Sequence, residues 1–311
     1  MPPKIIVIAG PTATGKTALG IALAKEQNGE IVSADSMQVY RRMDIGTAKA
    51  TKEERAAVAH HMIDVAEPWE DYSVARYVEE AGRCCEDILR RGKLPIVVGG
   101  TGLYIDSLLL GRDFAPRGDR DEALRERLAA EYNEIGGEAM LARLRAVDPE
   151  RAHRLHAADK RRIVRALEIW RLTGETATEH DRRSRLQPKR FEAKTVVLDY
   201  AERARLYARI DRRVDEMLEK GLFREVEALL DGGLDAGCTA MQAIGYKEAA
   251  QALRGECSRA EAADLIKRNS RRYAKRQLTW FKRRSDALWI RWPGAPDPDA
   301  ALDSLRGTLG L

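Results

Sequence analysis

The stretch Gly10-Pro11-Thr12-Ala13-Thr14-Gly15-Lys16-Thr17 constrains this chain more than any other eight residues in it. It fits the pattern G-x-x-x-x-G-K-[ST], and its setting matters as much as its letters. Before it runs Ile5-Ile6-Val7-Ile8-Ala9, a β-branched segment of the kind that fills a strand buried on both faces of a parallel sheet. After it comes a helical pattern from about Lys16 to Gln27. A glycine-bearing loop in that position lets consecutive backbone N–H groups turn toward phosphate oxygens, with the positive end of a helix dipole behind them. Lys16 adds a full charge, and the Thr17 hydroxyl suits a Mg2+ ligand. The loop identifies phosphates but not their owner, since ATP and any other diphosphate ester would fit it.

The downstream pattern repeats the alternation. Glu30–Ala34 reads as a second strand, His61–Val65 as a third and Leu94–Val98 as a fourth, while Ser73 caps a helix that Gly92 stops. Strands alternating with helices predict an α/β fold with a doubly wound parallel sheet, whose ligands sit beyond the carboxyl ends of the strands. The phosphate loop, Asp35 and Thr101 all fall there. From about Arg112 to Arg190 charged helical segments replace the alternation, with joints at Gly111–Gly118 and Gln187-Pro188. Lys194–Leu198 then reads as a strand returning to the sheet, Ala287–Ile290 as a last strand, and the tail from Gly294 as peripheral. The expected organisation is one core, residues 1–112 plus 190–311, interrupted by a helical insertion at 113–189.

Composition narrows the function classes. Apolar residues make up 44% of 311, enough for a sizeable core, and the net charge of +5 permits an anionic partner without requiring one. Cys84, Cys85, Cys238 and Cys257 form no CxxC pair, so free thiols in a reducing compartment are expected. His60-His61 lacks the spacing of a zinc site. No signal peptide is expected at Met1-Pro2-Pro3-Lys4 and no apolar run approaches a membrane span, which points to the cytoplasm.

Three further features carry chemistry. Asp35 in Asp35-Ser36-Met37-Gln38 could be a general base or a partner of a bound metal ion, or could cap the next helix. Gln38 has the donor and acceptor that an adenine edge requires, although a lone Gln is usually solvated. Gly99-Gly100-Thr101-Gly102 would let backbone approach a ligand and offers the Thr101 hydroxyl. Between Leu265 and Arg284 stand nine Lys or Arg residues and no acidic one, interleaved with Tyr273, Trp280 and Phe281. That pattern fits phosphate contact with base stacking, and equally an amphipathic helix with its aromatics in the core. A second basic cluster, Lys160-Arg161-Arg162 with Arg165, lies in the insertion, and two clusters in separate segments favour a polyanionic partner.

Taken together, the phosphate loop, Asp35-Ser36-Met37-Gln38-Val39-Tyr40, Asp44–Lys49, His60–Asp64 and Gly99–Tyr104 resemble the opening of the bacterial tRNA dimethylallyltransferases, or tRNA isopentenyltransferases. Arg162-Ile163 with Arg165–Glu168, Arg213-Val214-Asp215, Ile244–Glu248 and Arg272–Gln277 with Thr279-Trp280 continue the likeness to about Lys282. Ala50 stands where the family usually has proline, Lys160-Arg161 replaces a more polar stretch, and no zinc finger of the larger eukaryotic relatives is expected. The resemblance implies that Gly10, Pro11, Thr12, Ala13, Thr14, Gly15, Lys16, Thr17 and Arg213 bind dimethylallyl diphosphate, with Mg2+ at Thr17. It implies Asp35 and Thr101 as catalytic residues acting on the N6 amine of the adenosine immediately 3′ of the tRNA anticodon. Contacts to the anticodon stem-loop would come from Asp35, Ser36, Met37, Gln38 and Thr101, from Arg161, Arg162, Ile163, Val164 and Arg165, and from Gly245, Tyr246, Lys247, Lys275 and Arg276. A monomer is expected. The alternatives are a small-molecule kinase, an adenylate isopentenyltransferase and a non-catalytic RNA-binding protein.

Overall fold

The β-branched run at the N-terminus becomes the middle of a six-stranded, all-parallel sheet. The computed structural model describes residues 2–111 and 122–309, and it divides into two compact units, 1–109 with 190–311 and, between them in sequence, 110–189. In the first unit β1 (Lys4–Ala9), α1 (Lys16–Glu26), β2 (Gly29–Ser33), α2 (Lys52–Ala57), β3 (His60–His61), α3 (Val74–Arg90), β4 (Leu94–Gly99) and α4 (Gly102–Leu110) follow one another. The second unit holds α5 (Glu122–Ile135), α6 (Gly137–Val147), α7 (Pro149–His153), α8 (Lys160–Thr173) and α9 (Ala177–Leu186). The chain then returns through β5 (Glu192–Tyr200), α10 (Arg203–Glu219), α11 (Leu222–Asp231), α12 (Tyr246–Leu253), α13 (Arg259–Phe281), β6 (Leu288–Trp292) and α14 (Pro298–Leu309). Most of the joint expected at Gly111–Gly118 lies outside the described residues.

The strand order β3-β2-β4-β1-β5-β6 decides where the chemistry goes. Ile5, Ile6, Val7 and Ile8 of β1 are each at most 4% exposed. Successive strand residues face opposite ways, so their joint burial means both faces are covered. Because β4 lies between β2 and β1, the loop after β4 touches the loops after both neighbours. The three segments singled out for chemistry therefore emerge side by side at one sheet edge.

Three expectations need correcting. The third strand is only His60–His61. Met62 and Asp64 adopt positive φ of 63° and 58°, which ends the strand, while the Asp64 carboxylate reaches Lys49 at 2.6 Å and Arg55 at 2.7 Å. The last strand lies slightly downstream, at Leu288–Trp292. The tail from Gly294 is not peripheral. Its helix α14 packs on α1, burying Ala301, Leu302 and Leu305 in the cluster built by Ile6, Ile8, Leu19 and Leu23, and Arg306 pairs with Glu26 at 2.8 Å. Just before it, the Trp292 indole donates to the Thr14 carbonyl at 2.9 Å.

The insertion unit has its own core of Leu128, Met140, Leu141, Leu144, Ile163, Val164 and Leu167. Glu168, 5% exposed, is neutralised there by Arg125 at 3.1 Å and Arg165 at 2.9 Å.

Leu305 is fully buried, so Leu305→Ala should destabilise the chain by about 2–5 kcal/mol. Urea denaturation checks this, and a change within about 0.5 kcal/mol would mean that the tail helix is not part of the core.

Candidate active site

Glycine is required where the phosphate loop presses on its neighbours. A Cβ at Gly10, where φ is +143°, would stand 2.4 Å from the Leu198 carbonyl oxygen. A Cβ at Gly100 would stand 2.1 Å from the Gln277 side-chain nitrogen. Gln277, 6% exposed, uses both ends of its amide: Oε1 accepts from the Thr12 N–H at 3.1 Å, and Nε2 donates to the Gly100 carbonyl at 2.9 Å. Helix α13 thus fastens the phosphate loop to the loop after β4. At the N-terminus of α1 the cap residue is Gly15, with no side-chain hydrogen bond, which leaves the first-turn N–H groups open to an anion.

Two cations face this cradle. Dense packing around the Lys16 ammonium, and then Arg213 nearby, pull its pKa down from 10.5 to about 7, while Asp35 acts in the opposite sense. Arg213 is likewise held below its ordinary value, by burial first, with Asp35 opposing. Both side chains keep some accessible surface at the cleft. Lys16 Nζ donates to the Pro11 carbonyl at 2.7 Å, and neither residue has an ion-pair partner among the described residues. Desolvated, unpaired positive charge is expensive unless an anion completes the site.

In the same cleft, just after β2, the Asp35 Oδ1 accepts from the Met37 N–H at 2.9 Å. Thr101 Oγ1 accepts from the Ser36 N–H at 3.1 Å, and the Thr101 N–H donates to the Ala34 carbonyl at 3.1 Å. A Cβ on Gly99 would come within 2.2 Å of that same carbonyl, so the two loops lie backbone against backbone. Burial, followed by the charge of Asp35, pushes the Tyr273 phenol up to about 12. The cleft holds about 1630 Å3 and is lined by the phosphate loop from Thr12 to Thr17, by Asp35, Ser36, Met37 and Gln38, and by Arg213, Tyr273, Arg276 and Gln277.

The remaining sequence-derived residues divide into exposed and packed positions. The Gln38 carbonyl oxygen accepts from Ser33 at 3.1 Å and its amide donates to the Thr47 carbonyl at 3.2 Å. Its side chain is therefore a brace between β2 and the Asp44–Lys49 loop. Tyr246 is 0% exposed and its hydroxyl bonds Glu225; Gly245 is buried and only Lys247 of that trio is exposed. The Tyr246 side chain is thus corrected from RNA contact to packing. The same holds for Ile163 and Val164, which belong to the insertion's core, whereas Arg161 and Arg162 are exposed and Arg165 is half-buried.

Along α13 some basic and aromatic residues are paired or packed and others are exposed. Lys267 pairs with Asp215 at 2.6 Å and Arg271 with Asp211 at 2.5 Å. The Trp280 indole donates to Asp106 at 2.7 Å and Arg284 pairs with the same carboxylate at 2.7 Å. Phe281 is buried, while Lys275 and Arg276 are exposed.

Sequence reasoning missed Glu225. Its carboxylate accepts from the N–H groups of Asp44, Ile45 and Gly46 at 2.9, 2.8 and 3.2 Å. Nor did it find Lys49, whose ammonium joins Tyr40, Asp44 and Asp64 at 2.5–2.7 Å. Among the described residues no group of three His, Cys, Asp or Glu side chains could hold a metal ion, and no helix is long and apolar enough to cross a membrane.

This geometry has close relatives. Residues 38–284 match the model of the IPP transferase family, and residues 3–65 match that of isopentenyl transferases. The chain is 47% identical over 291 residues to "tRNA dimethylallyltransferase 1" of Pelobacter propionicus, covering 94% of this chain and 93% of the relative. It is 48% identical over 290 residues to the tRNA dimethylallyltransferase of Carboxydothermus hydrogenoformans, covering 93% and 92%. Among solved structures it is similar to the tRNA isopentenylpyrophosphate transferase of Bacillus halodurans, with a TM-score of 0.72 and 42% identity over 99% of this chain and 95% of that one. It is also similar to a eukaryotic dimethylallyltransferase captured acting on tRNA, with a TM-score of 0.81 and 30% identity over 99% of this chain and 79% of that one. On the extent of these matches, the chain belongs to the IPP transferase family of tRNA-modifying prenyl transferases.

Proposed function

We propose that this chain transfers the dimethylallyl group of dimethylallyl diphosphate to N6 of the adenosine immediately 3′ of the anticodon in tRNA and releases pyrophosphate. The observation that carries the proposal is the pair of unpaired cations, Lys16 and Arg213, in a cleft that Asp35 also lines. In the reaction the bond from the allylic carbon to the diphosphate oxygen breaks, and its electron pair leaves with pyrophosphate. The N6 lone pair forms the new carbon–nitrogen bond, and N6 gives up a proton. Lys16, Arg213 and the N–H groups of the phosphate loop meet the growing negative charge, the type of preorganised stabilisation that is worth about 3–4 kcal/mol per donor. The Asp35 carboxylate stands where it can take the proton, and Thr101, held against Ser36 at 3.1 Å, orients the amine.

A divalent cation fits the donor set. The Thr17 hydroxyl and the diphosphate oxygens would hold Mg2+, which favours few protein ligands, and when bound it supplies further charge neutralisation on the leaving group. Exposed Lys247, Lys275 and Arg276 in the core and Arg161 and Arg162 in the insertion would contact the phosphates of the anticodon stem-loop. The target base must leave its stack to enter the cleft, at a cost of a few kcal/mol that such contacts offset. A small-molecule kinase would need neither basic cluster. A cytoplasmic monomer is part of the same reading.

The direct test is incubation of the chain with dimethylallyl diphosphate, Mg2+ and tRNA. Pyrophosphate release should require tRNA, and nucleoside mass analysis should find the prenyl group on adenosine; release without tRNA, or phosphoryl transfer from ATP, would contradict the proposal. Asp35→Ala should lower kcat by about 10²–10⁴-fold while tRNA affinity stays within a few-fold, and a parallel loss of tRNA binding would remove Asp35 from the role of base.

Proton linkage gives a second check. With its pKa at about 7 in the free protein, Lys16 is mostly neutral at pH 8, and an anion beside it restores the charge. Donor binding should therefore take up close to one proton per site at pH 8 and about none at pH 6. Calorimetry in buffers of different ionisation enthalpy measures this, and no uptake at pH 8 would show that donor binding does not recharge Lys16.

A further inference from the structure

Beyond the carboxyl ends of β5 and β6 lies a second cavity, of about 320 Å3, lined by Asp199, Tyr200, Arg203, Lys282, Trp289 and Arg291 with the backbone at Ala201. Of its lining residues only Tyr200 also borders the main cleft. Asp199 is 8% exposed, and its carboxylate has no hydrogen bond or ion pair among the described residues. The residue is enclosed, but its carboxylate oxygens are not fully buried and open onto the cavity that the residue lines. In the parallel register Asp199 stands beside Arg291 and Val197 beside Trp289, so Asp199, Arg291 and Trp289 share one face of the sheet. The guanidinium of Arg291 lies 5.6 Å from the Trp289 ring centre.

The rest of the lining is cationic. Arg203, Lys282 and Arg291 are exposed and have no ion-pair partner among the described residues. Arg203 is also the first residue of the 17-residue helix α10, whose cap residue Glu202 makes no side-chain hydrogen bond, so its leading N–H groups are available to an anion.

These features restrict the ligand chemistry. Three cations and an open helix N-terminus call for phosphate. The Asp199 carboxylate can only accept, so it suits a ligand that carries N–H donors as well as a phosphate. The half-buried Trp289 ring suits a flat heterocycle. A nucleotide meets all three demands, and guanine does so best, because its ring N–H and exocyclic amine lie on one edge and can reach both oxygens of a single carboxylate.

We propose that this cavity is a binding site for a guanine nucleotide, separate from the phosphate loop. The base lies on Trp289 with its donor edge at Asp199, and the phosphate sits between Arg203, Lys282 and the start of α10. The ligand is either a free guanosine monophosphate or an unpaired guanosine within an RNA strand, for the recognising chemistry is the same.

Equilibrium dialysis of the full chain with guanosine monophosphate, with a single-stranded RNA trinucleotide carrying a central guanosine, and with inorganic phosphate tests the proposal. Guanosine monophosphate should bind better than phosphate alone, and Asp199→Asn should weaken it about tenfold or more. Lys282→Glu, a change on the exposed rim that leaves the core intact, should weaken it likewise. Tighter binding of the trinucleotide, sensitive to the same two changes, identifies an RNA residue as the ligand; weaker or equal binding identifies the free nucleotide. Equal binding by wild type and both variants, no binding of guanosine monophosphate, or phosphate binding as well as the nucleotide would overturn it.

Discussion

The site depends on positive charge that the protein itself leaves uncompensated. Lys16 and Arg213 stand where packing removes water from them and where no carboxylate forms an ion pair with either among the described residues. The cost of that arrangement appears as the fall of the Lys16 pKa toward about 7. A folded chain retains such a cost when a ligand recovers it, and a diphosphate recovers it most fully as it departs with the electron pair of a broken bond. Asp35 is near enough to influence both cations but pairs with neither, and its Oδ1 is committed to the Met37 N–H.

Much of the remaining structure keeps those groups in register. The order β2-β4-β1 sets three loops in contact, and the Gln277 amide ties two of them together from α13. Glu225 plays a comparable part behind the cleft-lining Asp44–Gly46 segment, gathering its three N–H groups. The carbonyl of the adjacent Thr47 then holds Gln38. From below, Trp292 braces the Thr14 carbonyl, and Pro296 lies 2.8 Å from where a Cβ on Gly15 would be. The loop proposed to bind phosphate is thus held by side-chain hydrogen bonds from residues up to 278 positions away in sequence.

Local signals were legible and distant ones were not. The phosphate loop, the Ser73 cap and the parallel sheet could be read because strand, turn and helix preferences act over a few residues. Arg213 has no local signature and came only from resemblance, yet it lines the same cleft as Lys16. Motif membership misled at Tyr246, Ile163 and Val164, because a family motif mixes residues that touch ligand with residues that pack beneath them. The tail was misjudged because Asp, Pro and Gly around Ala301, Leu302 and Leu305 mask a short apolar face. Gln277 and Glu225 gain their roles only through tertiary contact with backbone groups, which sequence alone does not reveal.

The most direct measurement is a crystal structure of the chain with Mg2+ and a non-reacting thiodiphosphate analogue of dimethylallyl diphosphate. The diphosphate should lie against the phosphate-loop N–H groups, with Lys16 Nζ released from the Pro11 carbonyl it now contacts at 2.7 Å and bonded to phosphate oxygen, and with the Arg213 guanidinium on the same anion. An analogue bound elsewhere, or one bound there while Lys16 keeps its contact with Pro11 and Arg213 faces away, would contradict the central role assigned to the two unpaired cations.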